Sequence, residues 1–336
     1  MRRGLRVALV LLVAALALRL AWLHETRSHR RDAGASPLTL VVAPGASAEA
    51  IGRQLRELGL VRHPLVFRLL VRERGFQGRL KAGEYALDGP LSLDQIADML
   101  ARGDVVRREI TIPEGRSILE IAEIVGAQGM SAEEFWVLAR DPGPIRDLDP
   151  VAEDLEGYLF PDTYEVPRVP EAARALLVRM VRRFRDVIAT EKERLEVRGL
   201  RVREVVTLAS VVELETARAE ERPRIAAVFW NRLKRGMPLQ ADPTVIYALR
   251  RAGRWDGNIR RKDLDIDSPY NTYRRSGLPP GPIGSPGREA IRAVLEPADT
   301  RDLYFVSRND GSHHFSESLV EHNRAVDRYQ RRRSRS

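Results

Sequence analysis

Apolar positions recur along this chain with three different rhythms. The first is continuous: Val7 to Leu23 carries one charge, Arg19, in 17 residues, and Arg2, Arg3 and Arg6 precede it. As a helix this stretch is about 25 Å long, slightly short of the roughly 30 Å hydrocarbon core, with Arg19 reaching toward the outer interface beside Trp22. It predicts a single membrane anchor, residues 7–23, with the basic stub 1–6 kept cytoplasmic and the rest of the chain exported. The run Val7–Leu18 also has the length of a signal-peptide core, although the following LRLAWLHETR is bulky and charged where a cleavage site needs small residues. A buried core helix is the third reading, and it leads three arginines into a core. Residues 24–37, HETRSHRRDAGASP, lack periodicity and read as a tether.

The second rhythm alternates short strands with amphipathic helices over residues 38–106. LTLVVAPG reads as a strand ended by Pro-Gly, and SAEAIGRQLRELGL as a helix capped by Ser47 with Ile51, Leu55 and Leu58 at helical spacing. HPLVFRLLVRERG is a second helix, KAGEYALDG a strand and turn, and SLDQIADMLARGD a further Ser-capped helix. A unit of this size and order resembles the LysM-like domains of cell-wall proteins; a generic α+β spacer module fits the same pattern.

The third rhythm fills residues 107–330. REITIPEGRSILEIAEIVGAQG repeats the strand, turn and Ser-capped helix of LVVAPGASAEAIGRQLRELG, a weak internal repeat. SAEEFWVLAR is a helix. DLEGYLFPDTYEVP then interrupts the pattern with three aromatics and two prolines, and residues 170–237 are strongly helical. Long loops follow, containing LQADPTVIYAL, SPYNTYRRSGLPPGPIGSPG and DLYFVSRNDGSHHFSESLVEHN, and such loops are where sites usually sit. Residues 331–336, RRRSRS, read as a solvated basic tail. The fold class expected is α+β: one transmembrane helix, a small LysM-like domain and a larger, mostly helical domain with long loops.

Composition narrows the chemistry. With no cysteine there is no disulfide, thiolate nucleophile or cysteine-ligated zinc, and the six histidines show no HExxH spacing, so a metal enzyme is not expected. Fifty-six Lys and Arg against 47 Asp and Glu suit an anionic partner. Export and the lack of a nucleic-acid motif point away from DNA and RNA.

Candidate chemistry concentrates in SVVELETARAEER, Ser210 to Arg222, which holds five acids. At 100° per residue from Val212, the residues Val205, Leu208 and Ala209 fall within about 60° and define a buried stripe. Glu215 at about −60° and Thr216 at about +40° continue it, and Glu213 lies near +100° on its flank. A carboxyl ending a buried stripe is partly desolvated, which raises its pKa and suits a general acid. The residues alone equally allow Glu215 a structural ion pair with Arg222 or Arg232. Glu220 and Glu221 fall where a new helix begins and read as charges at its N-terminus.

The segment LASVVELETARAEERPRIAAVFWNRLKRGMPLQADPTVIYAL, with YNTYRRSGLPPGPIGSPG, resembles the membrane-anchored endolytic murein transglycosylases of the YceG-like family. LEGYLFPDTY, YFV at Tyr304 to Val306, His314-Phe315 and His322-Asn323 resemble further pieces of that pattern in the same order. The resemblance implies a lyase, with a lysozyme-like catalytic domain over residues 107–330, held on the outer side of the cell inner membrane. Its catalytic glutamate corresponds to Glu215, with Glu213 as runner-up. Glu215 is then expected to protonate the β-1,4 glycosidic oxygen between N-acetylmuramic acid and N-acetylglucosamine and afterwards to take the proton of the muramic C6 hydroxyl, leaving a 1,6-anhydro end that terminates a nascent strand; the nucleophile belongs to the substrate, so the resemblance implies no cofactor. Asn231, Gln240, Asp242, Thr244, Tyr247, Asn271 and Tyr273 are implied as substrate-binding residues, and Glu221, Arg222 and Arg232 as supports. Asp242-Pro243-Thr244 is equally readable as a turn and helix cap. The partners implied are peptidoglycan glycan strands and, through the shared membrane location, peptidoglycan synthases. The rival readings are an anchored, non-catalytic glycan-binding scaffold and a hydrolytic muramidase.

Overall fold

In the computed structural model, which describes residues 2–27 and 37–331, the first apolar run is one helix, α1 (Arg2–Arg27). Its side chains from Leu9 to Leu20 are largely exposed, and it is long and apolar enough to cross a membrane. The helix outlasts the expected span. Residues 24–27, assigned above to the tether, are helical because this end of α1 rests on protein: Thr26 is buried, and Arg19 and Trp22 donate to the two carboxyl oxygens of Glu73 at 2.8 and 2.7 Å. Residues 28–36 of the tether and 332–336 of the tail lie outside the described residues.

The chain divides into two units, residues 1–109 with 165–172, and residues 110–164 with 173–336. In the first, β1 (Leu38–Val42) is followed by α2 (Ala48–Glu57), α3 (Pro64–Glu73), β2 (Gly83–Leu87) and α4 (Leu93–Arg102). The strands pair antiparallel from Leu38 opposite Leu87 to Val42 opposite Gly83, so the alternate residues Leu40, Val42, Tyr85 and Leu87 share one face. That face packs on Ile51, Leu55, Phe67, Leu70, Ile96 and Leu100 from the three helices. Ser47 and Ser92 cap α2 and α4 as the pattern predicts, the latter in a capping box with Gln95.

The unit boundaries fall within β3 (Arg107–Thr111) and its partner β4 (Thr163–Pro167), so residues 165–172 return to the first unit after an excursion of some fifty residues that a linear reading does not show. Between these strands lie α5 (Ile118–Ala127), capped by Ser117, and α6 (Ala132–Ala139). The second unit continues with α7 (Ala172–Thr190), α8 (Lys192–Arg198), α9 (Val202–Glu215), α10 (Arg222–Lys234), α11 (Asp242–Arg251) and α12 (Arg288–Leu295). A hairpin of β5 (Tyr304–Ser307) and β6 (His313–Ser316), then α13 (Leu319–Val326), complete it. The whole is α+β.

Helix α9 is central. It packs against α10, α11 and α12, and every residue from Val205 to Glu213 is buried, so its apolar surface is a full cylinder. The loop 279–287 closes one side of it: Ile283 N donates to Ser210 Oγ at 3.0 Å and Gly287 N to Glu213 at 2.8 Å. This loop also pairs with the Pro113-Glu114-Gly115 turn, Gly115 N on Ser285 O at 2.8 Å and Ser285 N on Arg116 O at 2.9 Å. A Cβ at Gly284 lies 2.6 Å from the Gly115 carbonyl oxygen, so only glycine allows the two backbones to approach this closely.

Candidate active site

Helix α9 ends on the acid in question. Glu215 is its last helical residue, Thr216 turns to extended backbone, and the Glu215 side chain enters a cleft of about 440 Å³. Among the described residues it has no hydrogen bond or ion pair. Burial pushes its carboxyl up to about 8, with the negative charge of Asp242 acting in the same direction and Arg232 partly opposing it. The carbonyl end of α9, where the helix dipole is negative, further disfavours ionisation.

Glu213 has a different environment. The helical phase above puts it on the flank; the structure buries it, because α9 is enclosed on all sides rather than along one stripe. It accepts from Arg222 at 2.6 Å and from Gly287 N at 2.8 Å, which satisfies both oxygens away from the cleft. Burial pushes its carboxyl up as well, and the nearby Glu114, which also receives Arg222 at 3.4 Å, adds to this. Arg222 therefore pairs with Glu213 and not with Glu215. Of the remaining acids, Glu220 is exposed beside Arg218. Glu221 is half-buried against β6, taking the His313 backbone N–H at 2.9 Å and its ring Nδ1 at 2.6 Å. Burial opposes ionisation of Glu221, but the bonds from His313 outweigh it and hold its carboxyl below the usual range.

Arg232, in the last turn of α10, lines the same cleft. It is buried, with its guanidinium fixed by the carbonyls of Leu303 and Leu239, each at 2.7 Å, and stacked 5.2 Å from the Tyr304 ring. Gln240 stands beside it in a left-handed backbone conformation, φ 52°, its N–H held by Thr272 O at 3.1 Å. A non-glycine residue there costs about 1 kcal/mol, which the surrounding bonds sustain. Asp242 opens α11 and receives the Tyr273 hydroxyl at 2.6 Å, so these two side chains form one wall.

Of the seven residues expected to bind substrate, Gln240, Asp242 and Tyr273 line the cleft. The other four do not. Thr244 is fully buried, sharing a hydrogen bond with Thr272 Oγ1 at 2.8 Å and donating to Ala241 O. Asn271 braces its own loop through Leu264 O and Ile266 O, both at 2.9 Å. Asn231 ties α10 to Thr300 O and Asp302 O. Tyr247, five residues along α11 from Asp242, faces a separate cavity and donates to Glu156 at 3.1 Å. Polar residues in a loop-rich segment serve equally to satisfy buried backbone groups, and these do so.

None of the residues expected to bind substrate belongs to the far wall, which is built by Phe305 and Ser307 of β5, His313 of β6, and His322 and Val326 of α13; of these, the sequence singles out Phe305 and His322 as motif residues without giving them a role. His322 stacks on Tyr304 with ring centroids 5.2 Å apart, and its Nδ1 is buried without a hydrogen-bond partner among the described residues. Burial pushes its ring pKa down, and Arg232 and His314 add to the effect, so a neutral imidazole faces the cleft. Period-two alternation through His313, His314 and Phe315 carried the signal, since it separates His313 from His314.

A mostly helical unit that presents one unpaired, partly desolvated carboxyl in a polar cleft has the makings of an acid–base site. Residues 40–328 match the YceG-like family, and the chain belongs to that family. An endolytic murein transglycosylase of Bacillus subtilis (strain 168) is 34% identical over 304 residues, covering 86% of this chain and 83% of the relative. One of Streptococcus pneumoniae (D39) is 32% identical over 323 residues, and the match spans 86% of this chain and 58% of that longer protein. The crystal structure of a YceG-like protein from Listeria monocytogenes is similar with a TM-score of 0.59 at 31% identity, covering 86% of this chain and 98% of that one.

Proposed function

We propose that this protein is an endolytic murein transglycosylase, a lyase in which Glu215 is the single acid and base. The observation carrying this is the contrast between two glutamates two residues apart: Glu213 is consumed by Arg222 and Gly287, while Glu215 faces the cleft unpaired and protonated near neutral pH. The names of the relatives support the substrate class.

In this reading Glu215 gives its proton to the glycosidic oxygen between N-acetylmuramic acid and N-acetylglucosamine as the C1–O bond breaks. The Glu215 carboxylate and Asp242 then face a positively charged, oxocarbenium-like C1. The muramic C6 oxygen bonds to C1, and its proton passes to Glu215, which restores the starting acid without water or cofactor. The product strand carries a 1,6-anhydro end and can no longer be extended at that end. Tyr273 holds Asp242, and Arg232 with Gln240 offers donors to the N-acetyl groups. Helix α1 serves as a single-pass anchor in the cell membrane, its N-terminus cytoplasmic and both units on the outer side, beside the synthases that supply nascent strands. The first unit serves as the LysM-like module of this arrangement.

A hydrolytic muramidase is the second reading, favoured by one observation: Asp242 is a second carboxylate in the same cleft, as hydrolysis requires. Purified sacculi or nascent glycan incubated with wild type and Glu215→Gln test the proposal. Release of anhydro-ended strands by wild type and none by the variant is the expected result, and a fully active Glu215→Gln removes Glu215 from the chemistry.

A further inference from the structure

The outer end of α1 carries more structure than an anchor needs. Trp22 packs against the core of the first unit, and its indole N–H and the Arg19 guanidinium hold the two oxygens of one carboxylate, Glu73, the last residue of α3. Further along, Arg27 reaches Asp94 in the first turn of α4 at 3.6 Å, and Asp94 also takes Arg74 at 3.8 Å. Arg74 donates to Asp98 at 2.8 Å as well, which fixes the end of α3 to α4. The last turns of α1 are thus tied to the first unit at two heights, Arg19 and Arg27, about 12 Å apart along the helix.

The length of the apolar run sets where the first tie lies. Val7 to Leu23 is about 25 Å of helix against a hydrocarbon core of about 30 Å, so a spanning α1 has no apolar residues to spare. Trp22 then sits at the outer edge of the hydrocarbon, the level at which tryptophan settles. Glu73 is bonded to it and lies at the same level. The headgroup layer is about 5–7 Å deep on each side, so residues within one helical turn of Glu73 fall in it.

The surface around Glu73 suits that layer. Leu69 and Leu65, one and two turns earlier on α3, are 49% and 53% exposed, although Phe67, Leu70 and Val71 of the same helix are buried. Arg68 and Arg72 share the exposed face with them, and Leu65 to Glu73 fall within about 140° around the axis. In the loop after α3, Phe76 is half-buried with Arg74 and Arg79 over its ring at 5.5 and 5.3 Å. Arg74 is spent on Asp94 and Asp98, whereas Arg72 and Arg79 pair with no carboxylate among the described residues. Exposed leucines interleaved with arginines, continued by a ring between guanidinium groups, compose a surface that rests on lipid, its apolar groups at the acyl boundary and its cations on phosphates.

We propose that the exposed face of α3 and the loop 74–79 lie on the outer surface of the membrane, with Arg72 and Arg79 on the phosphates of lipid headgroups and Glu73 as the clamp that fixes this face to the anchor. The first unit is then seated on the bilayer. This rests on the reading of α1 as a spanning anchor and takes nothing from the Glu215 chemistry.

The chain has no cysteine, so a single introduced one carries a fluorophore without competition. Leu12→Cys and Gln77→Cys, each labelled with bimane in the full chain and reconstituted in nanodiscs of phosphatidylglycerol and phosphatidylcholine, are read for quenching by lipids with a nitroxide in the acyl chain or on the headgroup. The label at position 12 should be quenched by the acyl-chain nitroxide and the label at position 77 by the headgroup nitroxide. Glu73→Lys, which sets a repelling charge against Arg19, should remove most of the quenching at position 77 with position 12 and the melting temperature unchanged. Arg19→Ala combined with Trp22→Phe strips the same bonds from the α1 side and should do the same. A label at position 77 that stays bright while position 12 is quenched overturns the proposal and leaves the anchor standing, and quenching at position 77 that survives both sets of changes overturns it too. No quenching at position 12 removes the anchor, and the proposal with it.

Discussion

Replacing Glu215 by glutamine is predicted to stabilise the protein, by an amount that depends on pH. An unfolded glutamate ionises near 4.5, whereas the folded carboxyl is raised to about 8 by burial and Asp242. Below about pH 4.5 both states hold the proton, and wild type and variant should melt together. Between about 5 and 8 the unfolded wild type releases the proton while the folded state keeps it, so wild-type stability falls as pH rises, and above about 8 the difference is constant. At about 1.4 kcal/mol per pKa unit the ceiling is about 5 kcal/mol, and screening by water in the open cleft reduces this to about 2 kcal/mol. For a domain of this size that corresponds to about 4–8 °C in the melting temperature. Differential scanning calorimetry of both proteins in detergent at pH 4.5, 6.5 and 8.5 reads it directly, in the transition of the unit that carries α9. A difference between variant and wild type that stays flat across this range refutes the reasoning, because it means that the Glu215 carboxyl titrates normally.

Glu213→Gln should have the opposite sign: it breaks a buried pair and leaves Arg222 with only Glu114 at 3.4 Å, costing about 3 kcal/mol, and thermal denaturation showing no loss contradicts the pairing. Strand cleavage should decline as pH rises through about 8, where Glu215 loses the proton it donates; a rate that climbs steadily to pH 10 is incompatible with Glu215 as the acid. Asn271→Ala strips the donors from the Leu264 and Ile266 carbonyls and should destabilise by about 1–3 kcal/mol in chemical denaturation, whereas a loss of glycan affinity at unchanged stability returns Asn271 to the substrate. Tyr273→Phe removes the 2.6 Å bond to Asp242 and should lower kcat by about tenfold with little change in melting temperature; unaltered turnover means that the position of Asp242 is immaterial.

Much of the fold is legible because helical caps and periodicity are local. Ser47, Ser92, Ser117 and Ser131 each start a helix where the pattern places one, and the apolar run at the N-terminus is a single helix. The phase of α9 identifies Glu215 at the end of its buried stripe. What the phase misses is enclosure: Glu213 is buried because α10, α11, α12 and the loop 279–287 surround α9, and no single helix encodes its neighbours. Motif membership likewise does not distinguish a residue that meets substrate from one that holds a loop. Thr244 and Asn271 each sit two residues from a cleft residue, Asp242 and Tyr273 respectively; Thr244 spends its hydrogen bonds on Ala241 O and Thr272, and Asn271 on the backbone of its own loop. The wall of Phe305, His313 and His322 comes from a hairpin and helix between 90 and 107 residues after Glu215, and only tertiary folding brings them together.

The central claim is that one carboxyl, Glu215, cuts the strand without water. Digestion of glycan strands in ¹⁸O-labelled water followed by mass spectrometry of the new ends tests it most directly. The account predicts 1,6-anhydro ends without solvent oxygen from wild type and no new ends from Glu215→Gln; reducing ends carrying ¹⁸O, or anhydro ends formed by the variant, contradict it.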